Sequence, residues 1–105
     1  MFQQNKARFA TGGVIAHLPG PIIDSLWFII DHDLQGTFQL ANLLVFALEE
    51  RQGQLTVAFS QDGENIAIRI DLPFPYAEGF PPVVYAYDDG NRQTILLPSE
   101  ANPQE

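Results

Sequence analysis

Cysteine is absent from the 105-residue chain, which removes thiol nucleophiles, disulfide staples, iron–sulfur clusters and cysteine-ligated zinc from consideration. The fold must stand on packing. A chain of this length buries about two-thirds of the surface its unfolded form exposes, enough for one independent domain without a staple or a structural metal. Cations are scarce as well. Five Lys and Arg face thirteen Asp and Glu, giving a net charge of −8 and a pI near 4.4. Such a field repels nucleic-acid backbones and anionic lipid heads, and Lys6, Arg8, Arg51, Arg69 and Arg92 are too scattered for a compensating patch. Neither nucleic acid nor a membrane is an expected partner. Long apolar runs are also missing. The longest, residues 43–48, falls far short of the roughly 20 residues that span a bilayer. The opening Met1-Phe2-Gln3-Gln4-Asn5-Lys6 lacks the apolar core of a secretory signal. The expected location is the cytoplasm.

Residues 8–18 (RFATGGVIAHL) read as a first strand, bent or bulged at Gly12-Gly13. Pro19-Gly20-Pro21 ends it and starts a helix, with Gly20 as N-cap and Pro21 at the first helical position, where its fixed φ is already helical. At 100° per residue, Ile22, Ile23, Leu26, Trp27, Ile29, Ile30 and Leu34 fall within an arc of about 160°, with Asp24 and Asp31 beyond its edge. The helix is therefore amphipathic, and Gln35-Gly36 ends it. Phe28 falls on the polar side, where a large aromatic has no core role. Residues 37–44 suit a short helix or the approach to a strand. Residues 43–50 read as a strand buried on both faces at one end.

After a turn at 51–54, Leu55, Val57 and Phe59 alternate with Thr56, Ala58 and Ser60. Beyond 62–65, Ile66, Ile68, Ile70 and Leu72 alternate with Ala67, Arg69 and Asp71. A two-residue turn at Asp62-Gly63 pairs Phe59 with Ile66, and a four-residue loop pairs it with Ile68. Both registers keep the apolar faces together. Residues 73–82 (PFPYAEGFPP) hold four of the eight prolines and cannot form a central strand. The last hairpin joins 83–88 to 91–97 through Asp89-Gly90, read as a type I′ turn that sets Tyr85 opposite Thr94 and Val84 opposite Ile95. The polar residues 98–105 read as a flexible tail, leaving 7–97 as the ordered core of a single domain, 1–105.

The pattern predicts an α+β fold: one amphipathic helix packed on a roughly five-stranded, mainly antiparallel, strongly coiled sheet. Five strands about 4.8 Å apart span roughly 19 Å, whereas a helix with its side chains is only about 10–12 Å across. The uncovered remainder must be closed by coiling into a half-barrel, by the aromatic loop 73–82, or by a second copy in a homodimer.

Chemistry is harder to find. Asp31, His32 and Asp33 are metal-type ligands in succession, but adjacent helical side chains point about 100° apart and do not converge on one ion. A solvated helix end is expected there. Turn chemistry accounts for Asp88-Asp89. No Gly-x-Ser-x-Gly surrounds Ser25, Ser60 or Ser99, and no phosphate-binding lysine follows Gly12-Gly13. Carboxylate pairs drawn from Asp24, Asp31, Glu49 and Glu50 are what any acidic chain offers. His17 reads as a strand-end or surface residue. No catalytic, metal or cofactor site is expected. The aromatics say more. Trp27 belongs to the core arc, while Phe28, with Phe74, Tyr76 and Phe80 of the proline-rich loop, suits an aromatic-rich, charge-poor protein interface. The competing reading folds the loop's rings back over the sheet.

The segments RFATGGV (8–14), LWFIID (26–31) and VYAYDDGNRQTILLPSE (84–100) resemble a family of small proteins from Gram-positive bacteria, domain of unknown function 960. The likeness rests on Gly13-Val14, Leu26-Trp27, Ile30-Asp31, Asp88-Asp89-Gly90 and Leu96-Leu97. It implies a bacterial cytoplasmic protein with no assigned activity and carries over no catalytic residue. Three functions compete. The leading one is a self-associating protein-interaction or adaptor module that uses Phe28 and the proline–aromatic loop. The others are an acidic inhibitor presenting carboxylates in place of nucleic-acid phosphates, and a small enzyme using His32 or His17 with nearby carboxylates.

Overall fold

Alternating apolar residues zip the middle of the chain into antiparallel strands, and near its beginning Thr11 caps one helix and Pro19 starts a second. The computed structural model describes residues 7–34, 40–61 and 68–100. In chain order these form β1 (Ala7–Ala10), α1 (Gly12–His17), α2 (Gly20–Ile29) continued by a π-helical turn (Ile30–Leu34), and β2 (Leu43–Arg51). There follow β3 (Gln54–Gln61), β4 (Ile68–Pro75), β5 (Val83–Asp88), β6 (Arg92–Leu96) and a 3₁₀ turn (Pro98–Glu100). The fold is α+β, a main helix and a short one on a sheet curled into a half-barrel. It has six strands ordered β1-β6-β5-β2-β3-β4, where about five were expected. Only β1 and β6 run parallel. No helix among the described residues is long and apolar enough to cross a membrane.

Register assigns each residue to a face. The inner face carries Leu44, Phe46 and Leu48 of β2, Leu55, Val57 and Phe59 of β3, Val84 and Ala86 of β5, and Ile95 of β6. Against it pack Ile22, Ile23, Leu26 and Ile29 of α2, with Ile30 and Leu34 beyond. This is the arc read from the helical periodicity. Trp27 is half-buried at its margin, and Phe28 is 58% exposed. The outer face holds three cross-strand rows: Phe9–Thr94–Tyr87–Leu43, Leu96–Tyr85–Val45–Ser60, and Val83–Ala47–Ala58–Arg69. None of these residues belongs to the core cluster.

Several local expectations are corrected. The strand expected over 8–18 stops at Ala10, because Thr11 caps a helix: its hydroxyl accepts the Val14 N–H and its carbonyl accepts Ile15 N–H. Gly13 lies within α1 rather than in a bulge. A methyl there would sit 2.8 Å from Glu100 Oε2 and 2.9 Å from Leu97 Cδ1, so any larger residue obliges the ends of these two side chains to move. The N-cap of α2 is Pro19, not Gly20, and its carbonyl accepts the N–H groups of Ile22 and Ile23. Strand β2 alternates cleanly between buried and half-buried, while β3 is the strand buried on both faces.

Phe59 pairs with Ile68, the register of the four-residue loop. Proline falls where edge-strand rules allow, since β4 is an outermost strand and its pairing slips at a bulge opposite Gln54–Thr56. The last hairpin is shifted by two residues from the expected register: Tyr85 faces Leu96, and Ala86 faces Ile95. Its central residues are Gly90 and Asn91, closed by Asp89 N–H to Arg92 O, and Gly90 alone has positive φ (97°), a II′ rather than an I′ pattern. The shift follows from the two aspartates. Asp88 Oδ1 accepts Gly90 N–H, and Asp89 Oδ1 accepts Asn91 and Arg92 N–H, all at 2.8 Å. Pro98–Glu100, expected in the tail, is an ordered turn. The helix stop at Gln35-Gly36, residues 37–39, the 62–65 turn with Ile66 and Ala67, and 101–105 lie outside the described residues.

Candidate functional site

Leu18 is held extended by the proline that follows it (φ −123°, ψ 133°), so the chain bends sharply between α1 and α2. That corner faces the proline-rich loop. Two adjoining grooves result. One, of about 270 Å³, is lined by Pro19, Pro21 and Ile22 on one wall and by Phe74, Pro75, Ala77 and Phe80 on the other. The second, about 370 Å³, runs along residues 15–19 to Ala77, Gly79 and Phe80. Pro19, Ala77 and Phe80 are common to both, and Ile15 stands 62% exposed at the outer end. The first groove presents carbon almost throughout.

The expected interface residues divide. Phe74 and Phe80 form one wall of the smaller groove. Tyr76 meets Phe80 edge-on at 5.5 Å, and Phe74, Tyr76 and Phe80 all pack against the core. The rings fold back against the core, as the competing reading expected, and line a groove in doing so. Phe28 lines neither groove and stacks on His32 with ring centroids 4.2 Å apart.

The polar candidates are placed as follows. His17 lines the larger groove, whose other lining side chains carry no carboxylate or hydroxyl. His32 is exposed beside Phe28. Asp31 is not part of a solvated helix end: Arg8 grips both its oxygens at 2.7 and 2.8 Å. Among the described residues, no three His, Asp or Glu side chains gather as a metal site requires. Ser25 donates to the Pro21 carbonyl of its own helix. Asp89 lies exposed at the hairpin tip, its carboxyl held below the ordinary range by the Arg92 and Asn91 backbone N–H groups.

Sequence reasoning missed a buried polar chain on the inner face. Arg8, Gln93 and Asp88 are cross-strand neighbours on β1, β6 and β5. Arg8 Nε donates to Gln93 Oε1 at 2.8 Å, and its guanidinium lies 4.7 Å from the centre of the Trp27 ring. Gln93 and Asp88 are fully buried. A cation alternating with apolar residues in a four-residue strand was the available signal. Pro19 and Pro21, read only as helix punctuation, supply one wall of the groove.

The match to a family model, described as a staphylococcal protein of unknown function (DUF960), covers residues 7–100. The chain belongs to this family. The chain is also similar to a solved structure, the crystal structure of a protein of unknown function from Enterococcus faecalis. It is 44% identical to this chain, covers 99% of this chain and 96% of its own, and superposes with a TM-score of 0.93. No curated protein matches the chain. The likeness to this DUF960 chain extends over the grooves, the helices and the whole sheet, and neither printed description attaches an activity to them.

Proposed function

We propose that this DUF960 chain is a protein-interaction module that seats bulky apolar side chains of a polypeptide partner in the double groove between the α1–α2 corner and the proline-rich loop. The carrying observation is the composition of the groove, in which Pro19, Pro21, Ile22, Phe74, Pro75, Ala77 and Phe80 converge without a charged side chain. Small-molecule sites add a few placed polar groups to such a lining to fix orientation. Here the two adjoining hollows suit two neighbouring anchors on one chain. Proline walls make the site stiff, so little ordering is needed on binding.

Ala77 is exposed at the rim and shared by both hollows, so Ala77→Arg fills the site without touching the core. Selection from a displayed random-peptide library on the immobilised wild type is expected to enrich sequences with paired bulky apolar residues. The Ala77→Arg variant is expected to enrich none. Equal enrichment on both proteins, or none on the wild type, overturns this assignment.

A further inference from the structure

Phe28 lines neither hollow of the groove and does not belong to the core cluster, although it is 58% exposed. Its place on α2 gives it a part. Phe28 follows Pro21, a wall of the smaller hollow, by seven residues, which is nearly two helical turns. It therefore lies on the same side of α2, about 10.5 Å further along the axis. Between the two on that side stand Asp24, exposed, and Ser25, half-buried. An apolar surface thus begins at exposed Ile15, passes through both hollows to Pro21 and resumes beyond Asp24 at Phe28.

Resting on the peptide-binding assignment above, we propose that the polypeptide seated in the groove is an amphipathic α-helix with a basic polar face, lying along α2 as far as Phe28. Backbone chemistry selects the helix. Among the residues lining the smaller hollow, Pro19, Pro21 and Pro75 have no N–H, and the N–H groups of Ile22 and Phe80 already donate to the Pro19 and Ala77 carbonyls. An extended segment finds no ladder of donors there, so the occupant must satisfy its own backbone groups, as a helix does. Spacing agrees. Helical residues i and i+7 lie about 10.5 Å apart, the separation of Pro21 from Phe28 along α2. Charge selects the polar face. Residues 12–34 and 74–82, which build the groove and the helix side, hold Asp24, Asp31, Asp33 and Glu78 but no Lys or Arg. Arg8 neutralises Asp31, and Arg51 and Asp71 around the hollow beside Pro73 offset one another. Three carboxylates remain to meet cations of the partner.

Selection on the immobilised full chain from a displayed library of peptides about 16 residues long, enough for about 24 Å of helix, tests the proposal. Enriched sequences are expected to place apolar residues at i, i+3 or i+4, and i+7, with Lys or Arg between them. A synthetic copy of the most enriched peptide is expected to gain helical far-UV circular dichroism on binding. Its affinity is expected to fall about tenfold between about 0.1 and 1 M salt, as the Debye length shortens from about 10 to 3 Å. Phe28→Ala and, independently, Asp24→Lys, both at exposed positions, are each expected to weaken binding about tenfold with the free protein's spectrum unchanged. Peptides that bind the wild type but not Ala77→Arg, yet carry no excess of basic residues, gain no helicity and bind Phe28→Ala as tightly, overturn this proposal and leave the groove assignment standing. Enrichment insensitive to Ala77→Arg, or none on the wild type, overturns both.

Discussion

Arg8 is the residue on which the packing of α2 against the parallel edge of the sheet depends. Its side chain is 17% exposed and that of Asp31 12%, and the pair is bidentate at 2.7 and 2.8 Å. Most of the solvation cost is met by further partners, since Arg8 also donates to Gln93 and lies over Trp27. Asp31→Ala leaves a mostly buried guanidinium without its carboxylate, and the expected loss is about 2–3 kcal/mol in urea unfolding. Arg8→Lys retains the charge but not the fork, so it is expected to lose more than half of that amount.

Glu100 acts at the other end of the chain. Its carboxyl is held below the ordinary glutamate value of 4.5, first by the Thr11 hydroxyl at 2.6 Å, then by the Leu97 and Gly13 N–H groups. A lowered folded-state pKa means that the clamp is complete above pH 4.5 and is lost as pH falls through the lowered value. Amide hydrogen exchange at Leu97 is therefore expected to keep its protection at pH 6 and to lose it in acid before the global unfolding transition. Glu100→Gln, which cannot ionise, is expected to remove that pH dependence.

At the scale of elements, the β2–β3 hairpin holds one strained position. Gln52 and Gly53 have φ of 56° and 82°, the I′ pattern, and Gln52 is the one non-glycine with positive φ among the described residues. Asparagine tolerates this region better. Gln52→Asn is expected to raise stability by about 0.5 kcal/mol, measured by thermal unfolding, and an unchanged or lower stability refutes the strain. The turn had been legible as a turn because Gly53 stands between two apolar runs. The α2 arc and the shared apolar face of β3 and β4 were legible for the same reason, that one periodic face had to be buried, whereas the choice of Ile68 over Ile66 opposite Phe59 was not, since both registers bury that face. Thr11-Gly12-Gly13 was not, since its cap depends on a helix only six residues long and its glycine on contact with residue 100. Nor was the register of the last hairpin, where aspartate hydrogen bonds at the tip outweigh the Asp-Gly preference. The groove was half visible: the aromatic wall stands out by composition, whereas the proline wall needs the three-dimensional corner to meet it.

Charge governs the whole molecule. Thirteen side-chain carboxylates against five cations leave a surface that repels itself, and the largely buried Arg8–Asp31 pair is screened by salt less than exposed charges are. Raising ionic strength therefore weakens repulsion more than attraction. Relief of about 1 kcal/mol corresponds to a rise in Tm of about 4 °C for a domain of this size, expected between about 0.01 and 0.15 M salt in differential scanning calorimetry. A fall in Tm means that surface ion pairs outweigh the net charge.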